Sequence, residues 1–159
     1  ALMQVQGSWV DGEFNYHGLV PGQDYECFRF PDTQGVFLFN SDQYMLLNDH
    51  PGDAQTRLKL VSTLMDVELQ RELNIATGAA PARVDVERAS FNQCGQQAIS
   101  DMRNANIRRT LMGSIAMGNA NPGPVKEAIY QVVHEHLLGK INDEQAVQKL
   151  QSAMVAAQH

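Results

Sequence analysis

The chain has 159 residues, of which 43% are hydrophobic, and a formal net charge of -6 at pH 7. This length is enough for one domain with a buried core. The negative charge argues against nucleic acid or an anionic membrane as a partner, and no apolar stretch in the sequence is long enough to cross a bilayer. The chain begins at Ala1 without a signal peptide, so we expect a processed or cut end.

The first third of the chain predicts short strands with one helix. Residues 10–17 are expected to be helical, and Pro21 with its neighbouring glycines predicts a turn over 18–24. Other segments either alternate apolar and polar side chains or are apolar runs too short for helices. We therefore predict strands at 2–6, 25–30, 36–39 and 44–47.

The pattern changes to a helical period after residues 50–52. Asp53 and Asp66 are predicted to cap two successive helices, because a carboxylate at that position accepts a hydrogen bond from a free backbone N–H. Gly78 and Pro81 are predicted to end the second helix.

The last part of the chain predicts three more helices. Residues 90–93 have the Ser-x-x-Gln pattern of a capping box, which predicts a helix through about residue 105. Residues 112–123 are rich in small side chains and predict a loop. Pro124 and Asn142 then begin two helices that are expected to form a helical hairpin.

The sequence contains two cysteines, Cys27 and Cys94. In a cytosolic protein they would be free buried thiols, whereas in an exported protein they would form one bridge. The residues alone leave both possibilities open. No Cys-x-x-Cys motif and no cysteine–histidine cluster with zinc spacing is present, so the cysteines do not predict a metal site.

The motifs of common enzymes are missing from the sequence. There is no nucleophile elbow, phosphate loop or dinucleotide fingerprint. The pair His134 and His136 lacks the spacing of a zinc protease, which would need a histidine where Leu138 stands. Two histidines two positions apart also lie on different faces of a helix. We therefore predict that the protein is not an enzyme and uses no metal and no cofactor.

Three segments carry a resemblance to a known family. They are residues 2–14, 30–44 and 78–85, which contain Gly-Ser-Trp at 7–9, Phe-Leu-Phe-Asn-Ser-Asp at 37–42 and Gly-Ala-Ala-Pro-Ala-Arg at 78–83. In this order they resemble the carboxy-terminal part of family 1 extracellular solute-binding proteins, the sugar-binding receptors of bacterial ABC importers. The resemblance runs through the whole chain and covers somewhat under half of a complete family member.

The resemblance implies an α/β fold, the carboxy-terminal portion of a two-lobed periplasmic binding protein, with short strands early and mainly helices later. Within the segment 1–159, residues 1–35 would be a strand and helix of one lobe. Residues 36–52 would be interlobe crossing strands, and residues 53–159 the helical part of the carboxy-terminal lobe.

The resemblance also implies a monomer in the periplasm that binds a sugar or polyol in the interlobe cleft and closes by a hinge. Its partners would be an ABC permease and the ATPase of that permease. Because the periplasm oxidises thiols, a Cys27–Cys94 disulfide is then expected. By itself the chain would hold only one side of the cleft, so we expect it to bind sugar weakly or not at all.

The resemblance assigns four positions to the ligand site. Trp9 would stack on the apolar face of a pyranose, although a lone tryptophan is otherwise most simply a core residue. Asp42 would accept hydrogen bonds from sugar hydroxyls, although it could equally be a solvated turn residue. Thr77 stands where glucose-binding members commonly carry lysine, and Met117 where they carry histidine. Because both changes remove a polar partner, we expect a pocket that does not read glucose in the usual way.

An alternative is a small α/β adaptor that docks through its carboxy-terminal helical hairpin. A solute binder should expose Trp9 and Asp42 on one concave surface. An adaptor should bury Trp9 and display an apolar patch on the hairpin. In either case we expect Arg83 and Asp85 to be structural, as an ion pair or a cap.

Overall fold

The computed structural model describes residues 2–47 and 53–156, so the predicted break at 50–52 lies outside the described residues. The fold is α/β with mostly helices and a small parallel sheet, in agreement with the predicted class. The elements in chain order are α1 (Val10–Tyr16), β1 (Phe37–Phe39), α2 (Ala54–Leu64), α3 (Val67–Thr77), α4 (Gln93–Arg108), β2 (Leu111–Gly113), α5 (Gly123–Leu137) and α6 (Asp143–Ala156).

The chain divides into two compact units. The first unit comprises Ala1–Phe37 and Gln43–Leu111, and the second comprises Leu38–Asp42 and Met112–His159. Among the described residues, none of the helices combines the length and the hydrophobicity that a membrane span requires.

The strands β1 and β2 form the two-stranded sheet. The backbone N–H of Phe37 donates to Thr110 O at 3.2 Å, and that of Ser114 donates to Phe39 O at 2.9 Å, which is a parallel register. The predicted strand at 36–39 is therefore confirmed.

The other predicted strands, at 2–6, 25–30 and 44–47, are wrong. These segments carry no strand, although Tyr25 forms an isolated bridge with Pro21. A strand needs a neighbour to pair its backbone groups, and within the described residues no second strand runs beside these segments. Sequence alternation alone therefore did not decide their structure.

The predicted helix caps before α2 and α3 are confirmed. A side-chain oxygen of Asp53 accepts from Gln55 N at 3.2 Å, and one of Asp66 accepts from Leu69 N at 3.0 Å. Gly78 ends α3 with a φ of +70°, which is the left-handed conformation that glycine adopts without a steric penalty.

The predicted capping box at 90–93 is wrong. Ser90 ends a short 3-10 helix, and α4 is capped two residues later by Asn92, whose Oδ1 accepts from Gly95 N at 2.9 Å. Asparagine caps helices as well as serine does, so Asn92, which lies nearer to the start of α4, takes the role predicted for Ser90. The predicted loop at 112–123 begins too early, since its first residues belong to β2.

The core of the first unit lies between α3, α4 and the segment that joins them. Val86, Phe91 and Ile99 are buried together. Beside them, Arg83 donates to Asp85 at 2.5 Å and to Met65 O at 2.8 Å, so this pair fastens the connecting segment to the end of α2. The structural role predicted for Arg83 and Asp85 is confirmed.

The second unit contains the predicted helical hairpin of α5 and α6. Val125 and Val132 are buried on α5. The hairpin turn ends in a reciprocal cap, in which Gln145 N donates to Asn142 Oδ1 at 2.9 Å and Asn142 N donates to Gln145 Oε1 at 3.1 Å. Lys149 on α6 donates to Glu135 on α5 at 2.5 Å.

Candidate functional site

The indole of Trp9 lies on the backbone of Gly7. A Cβ atom added to Gly7 would be 2.1 Å from Trp9 Cζ3, so a residue larger than glycine at position 7 would displace the ring. Trp9 directly precedes α1 and is 45% exposed. The ring is therefore held on one side by backbone and remains open to solvent over much of its surface, as a stacking platform requires.

The start of α1 packs directly on the end of α3. A Cβ on Gly12 would lie 2.6 Å from the carbonyl carbon of Thr77, and one on Gly78 would lie 2.5 Å from Gly12 N and 2.8 Å from Ser8 O. Side chains larger than hydrogen would separate the two helices at both positions. This contact places Trp9 and Thr77 on adjoining elements of the first unit.

Thr77 is exposed at the last position of α3. Its hydroxyl donates to Leu73 O at 2.9 Å. The hydrogen of this hydroxyl is therefore used within the helix, and its oxygen can still accept a hydrogen bond. Thr77 thus offers an acceptor where a lysine would offer a charged donor.

Asp42 and Met117 lie on neighbouring segments of the second unit. Asn119 connects these segments, because its Nδ2 donates to Ser41 O at 3.3 Å. The loop that carries Met117 is folded by a bond from Met117 N to Ser114 Oγ at 3.3 Å. Asp42 is exposed, and Met117 is 54% exposed. Both side chains are open to solvent beside the end of β1.

The four predicted ligand positions thus form two pairs, one in each unit: Trp9 with Thr77, and Asp42 with Met117. A common concave surface for Trp9 and Asp42 stays a prediction. The two features expected of an adaptor, a buried Trp9 and an apolar patch on the hairpin, give opposite results. Trp9 is not buried, which goes against an adaptor, whereas Leu137 on α5 is 77% exposed, as an adaptor hairpin would require.

Sequence reasoning missed a buried acid, Asp11, in the first turn of α1. Asp11 is only 5% exposed. Its carboxylate accepts hydrogen bonds from the Tyr25 hydroxyl, from Asn92 Nδ2 at 2.8 Å and from Asn15 Nδ2 at 3.3 Å. Acidic residues are common in the first turn of solvated helices, so nothing in the sequence pattern indicated that this one is buried.

Tyr25 is strongly affected by this environment. Its pKa is raised well above the ordinary value, first because the phenol is desolvated, and then because it donates to Asp11 and feels the charge of that carboxylate. Tyr25 therefore stays protonated and remains a donor to Asp11 at physiological pH. Through Asn92, which also caps α4, the same carboxylate joins α1 to α4.

The expected disulfide joins Cys27 and Cys94, with their Cα atoms 5.6 Å apart. Cys94 is buried in the first turn of α4, whereas Cys27 is exposed. A carboxylate oxygen of Asp11 and the two sulfurs all lie within 4.8 Å of one another. Because both sulfurs are used in the bridge, this group of potential ligands does not form a metal site.

The chain is similar over nearly its whole length to curated proteins named probable sugar-binding periplasmic protein. The relative from Brucella suis biovar 1 (strain 1330) is 41% identical over 157 residues, which cover 99% of this chain and 37% of the relative. The relative from Rhizobium meliloti (strain 1021) is also 41% identical over 157 residues, covering 99% of this chain and 38% of the relative. The relative from Mesorhizobium japonicum (strain LMG 29417 / CECT 9101 / MAFF 303099) is 36% identical over 155 residues, covering 97% of this chain and 37% of the relative.

The chain therefore spans 37% to 38% of the length of these relatives, in agreement with the expected share of somewhat under half. No family model matches the chain. The names of the relatives confirm the predicted periplasmic location. The disulfide fits an oxidising compartment of this kind.

Proposed function

We propose that the chain is the carboxy-terminal part of a family 1 solute-binding protein, which binds a sugar or sugar-like polyol for import by an ABC permease and its ATPase. The observation that carries this proposal is the 41% identity over 99% of the chain to proteins named probable sugar-binding periplasmic protein. The protein acts as a monomeric receptor and makes or breaks no bond in its ligand.

The segment predicted to connect the lobes contains two of the points at which the chain changes unit. The chain passes from one unit to the other after Phe37, after Asp42 and after Leu111. The first two crossings fall within residues 36–52, the segment predicted to connect the lobes, whereas the third falls within residues 53–159, which were predicted to belong to one lobe. In the proposed receptor residues 36–52 act as a hinge between the lobes of the full-length protein, and ligand favours closure because it contacts both lobes only in the closed state.

The exposed side chains support a carbohydrate ligand. Trp9 offers an aromatic plane, against which the C–H groups of a pyranose pack, and Asp42 offers a carboxylate that accepts bonds from adjacent hydroxyls. Thr77 supplies an acceptor, and Met117 supplies an apolar surface. This set carries fewer charged donors than a glucose site with lysine and histidine, so we infer a solute other than glucose, bound with more apolar contact.

The test is a calorimetric titration of the full-length protein with a panel of sugars and polyols, repeated on each variant with the compound that binds most tightly. We expect Trp9→Ala to weaken affinity by about 5- to 30-fold, since losing a stacked ring costs on the order of 1–2 kcal/mol. Trp9→Phe keeps an aromatic plane and should retain most of the affinity. Tyr16→Ala is the matched control, because Tyr16 is an aromatic residue at the other end of α1 and is 84% exposed.

An unchanged affinity in Trp9→Ala would show that the indole does not contact the solute. An equal loss in Tyr16→Ala would show that the effect comes from α1 as a whole. The adaptor alternative rests on exposed apolar side chains of the hairpin such as Leu137, and the names of the relatives do not favour it.

A further inference from the structure

The buried carboxylate of Asp11 lies beside the disulfide in the first unit. One of its oxygens and the sulfurs of Cys27 and Cys94 lie within 4.8 Å of one another. Asp11 is 5% exposed, so water and salt screen its charge poorly at this distance. The sulfurs therefore lie within the field of a negative charge that solvent screens less than it would a surface carboxylate.

The described hydrogen bonds to Asp11 come only from neutral groups, a phenol and two carboxamides. They stabilise the carboxylate without cancelling its charge. Arg29, two residues after Cys27, is directed elsewhere: it pairs with Asp101 at 3.6 Å and donates to Val36 O. Thus the nearest cation along the chain from Cys27 is already paired with another acid.

We propose that Asp11 protects the Cys27–Cys94 disulfide from reduction by thiols. A thiolate attacks the exposed sulfur of Cys27 and forms a mixed disulfide, while the original S–S bond breaks and its electron pair leaves on the sulfur of Cys94. The carboxylate repels the incoming anion and opposes the thiolate that forms on the buried Cys94 sulfur. Both effects raise the barrier of this step.

With a dithiol reductant, the reaction ends in a second exchange. The other thiolate of the reductant attacks the mixed disulfide and releases Cys27 as a thiolate, and the reductant becomes a cyclic disulfide. Two electrons pass from the reductant to the protein sulfurs, which are then protonated by solvent. The first exchange is the step that Asp11 slows.

The test measures the reduction of the folded full-length protein by dithiothreitol, in the range where the rate is proportional to reductant concentration. We expect Asp11→Asn to accelerate reduction about tenfold, because it removes a negative charge whose repulsion is partly felt in the transition state, where negative charge builds up on the leaving sulfur. Glu26→Gln is the matched control. It removes an acid adjacent to Cys27 in sequence but exposed to solvent, and should change the rate less than twofold. An unchanged rate in Asp11→Asn would overturn the proposal, as would an equal acceleration in Glu26→Gln.

Tyr25→Phe separates the charge from simple loosening of the fold. This change removes a hydrogen-bond donor to Asp11 but keeps the carboxyl group itself. Protection by charge predicts a rate equal to or below that of the wild type. If reduction depended only on how firmly α1 is held, Tyr25→Phe would accelerate it as Asp11→Asn does, and that result would overturn the proposal. An acceleration in Tyr25→Phe would therefore overturn the proposal even if Asp11→Asn fails to fold.

Discussion

Replacing Gly78 with alanine should separate α1 from α3 and destabilise the first unit. Gly78 has a φ of +70°, and a Cβ there would lie 2.5 Å from Gly12 N and 2.8 Å from Ser8 O. Both contacts are with backbone, which cannot rotate away as a side chain can. The left-handed conformation costs alanine about 1–2 kcal/mol, and forcing atoms into a filled site costs about 1–3 kcal/mol more. We expect a total loss of about 3 kcal/mol in the free energy of unfolding.

Gly18→Ala is the matched control for this prediction. Gly18 has a φ of +75°, and a Cβ there would meet nothing within 4 Å, so only the conformational cost applies. We expect this variant to lose about 1–2 kcal/mol. Urea unfolding of both variants, monitored by circular dichroism, gives their free energies of unfolding. The difference between the two losses is the part due to the contact between α1 and α3.

Equal destabilisation by Gly78→Ala and Gly18→Ala would refute the close approach of α1 to α3. The same contact also positions Trp9, which lies in the sequence between Ser8 and the buried residues Asp11 and Gly12 of α1. The separation caused by Gly78→Ala should therefore also change the fluorescence of Trp9, the only tryptophan of the chain. Gly18→Ala should leave this fluorescence unchanged.

Two further predictions concern the disulfide and the acid side of the stability curve. Replacing Cys27 and Cys94 together with serine should lower the free energy of unfolding by about 4 kcal/mol on the chain-entropy model, since the bridge spans 67 positions; a loss below about 1 kcal/mol in urea unfolding would contradict this. The pKa of Asp85 is lowered from its ordinary value of 3.8, chiefly by the hydrogen bond from Arg83. Ionised Asp85 therefore stabilises the fold fully at pH values above 3.8, and this contribution is lost as the pH falls through the lowered pKa. Asp85→Asn should therefore lose less stability between pH 5 and pH 2 than the wild type, and identical pH profiles would contradict the assigned cause.

The helical part of the fold was predictable because its signals are local. Asp53, Asp66 and Asn142 each cap a helix through a bond to a backbone N–H two or three positions away, and Gly78 ends a helix through its own conformation. Interactions of this kind are complete within a few residues. The sequence pattern was therefore sufficient to place them.

The strands were harder to predict because their partners are remote. Residues 36–39 pair with a segment more than seventy positions later along the chain, whereas residues 2–6, which were also predicted to be a strand, have no strand beside them among the described residues. Alternation reports which side chains share a face and does not report which backbone lies alongside. The same limit applies to Asp11, whose burial depends on Tyr25 and Asn92.

The candidate site was predictable only in part. The resemblance selected Trp9, Asp42, Thr77 and Met117, and all four are exposed in the structure. The support beneath Trp9 depends on Gly7, and the contact that sets Thr77 beside α1 depends on Gly12 and Gly78. These glycines act through close backbone approach, which the sequence does not display until the fold brings the segments together.

The sugar-binding role is tested most directly by native mass spectrometry of the full-length protein purified from its host without added sugar. We expect a fraction of the protein to carry one small carbohydrate or polyol per monomer, which is released on unfolding. Apoprotein alone that also fails to bind any member of a broad sugar and polyol panel in calorimetry would contradict the account, as would a co-purified protein partner retained through α5 and α6.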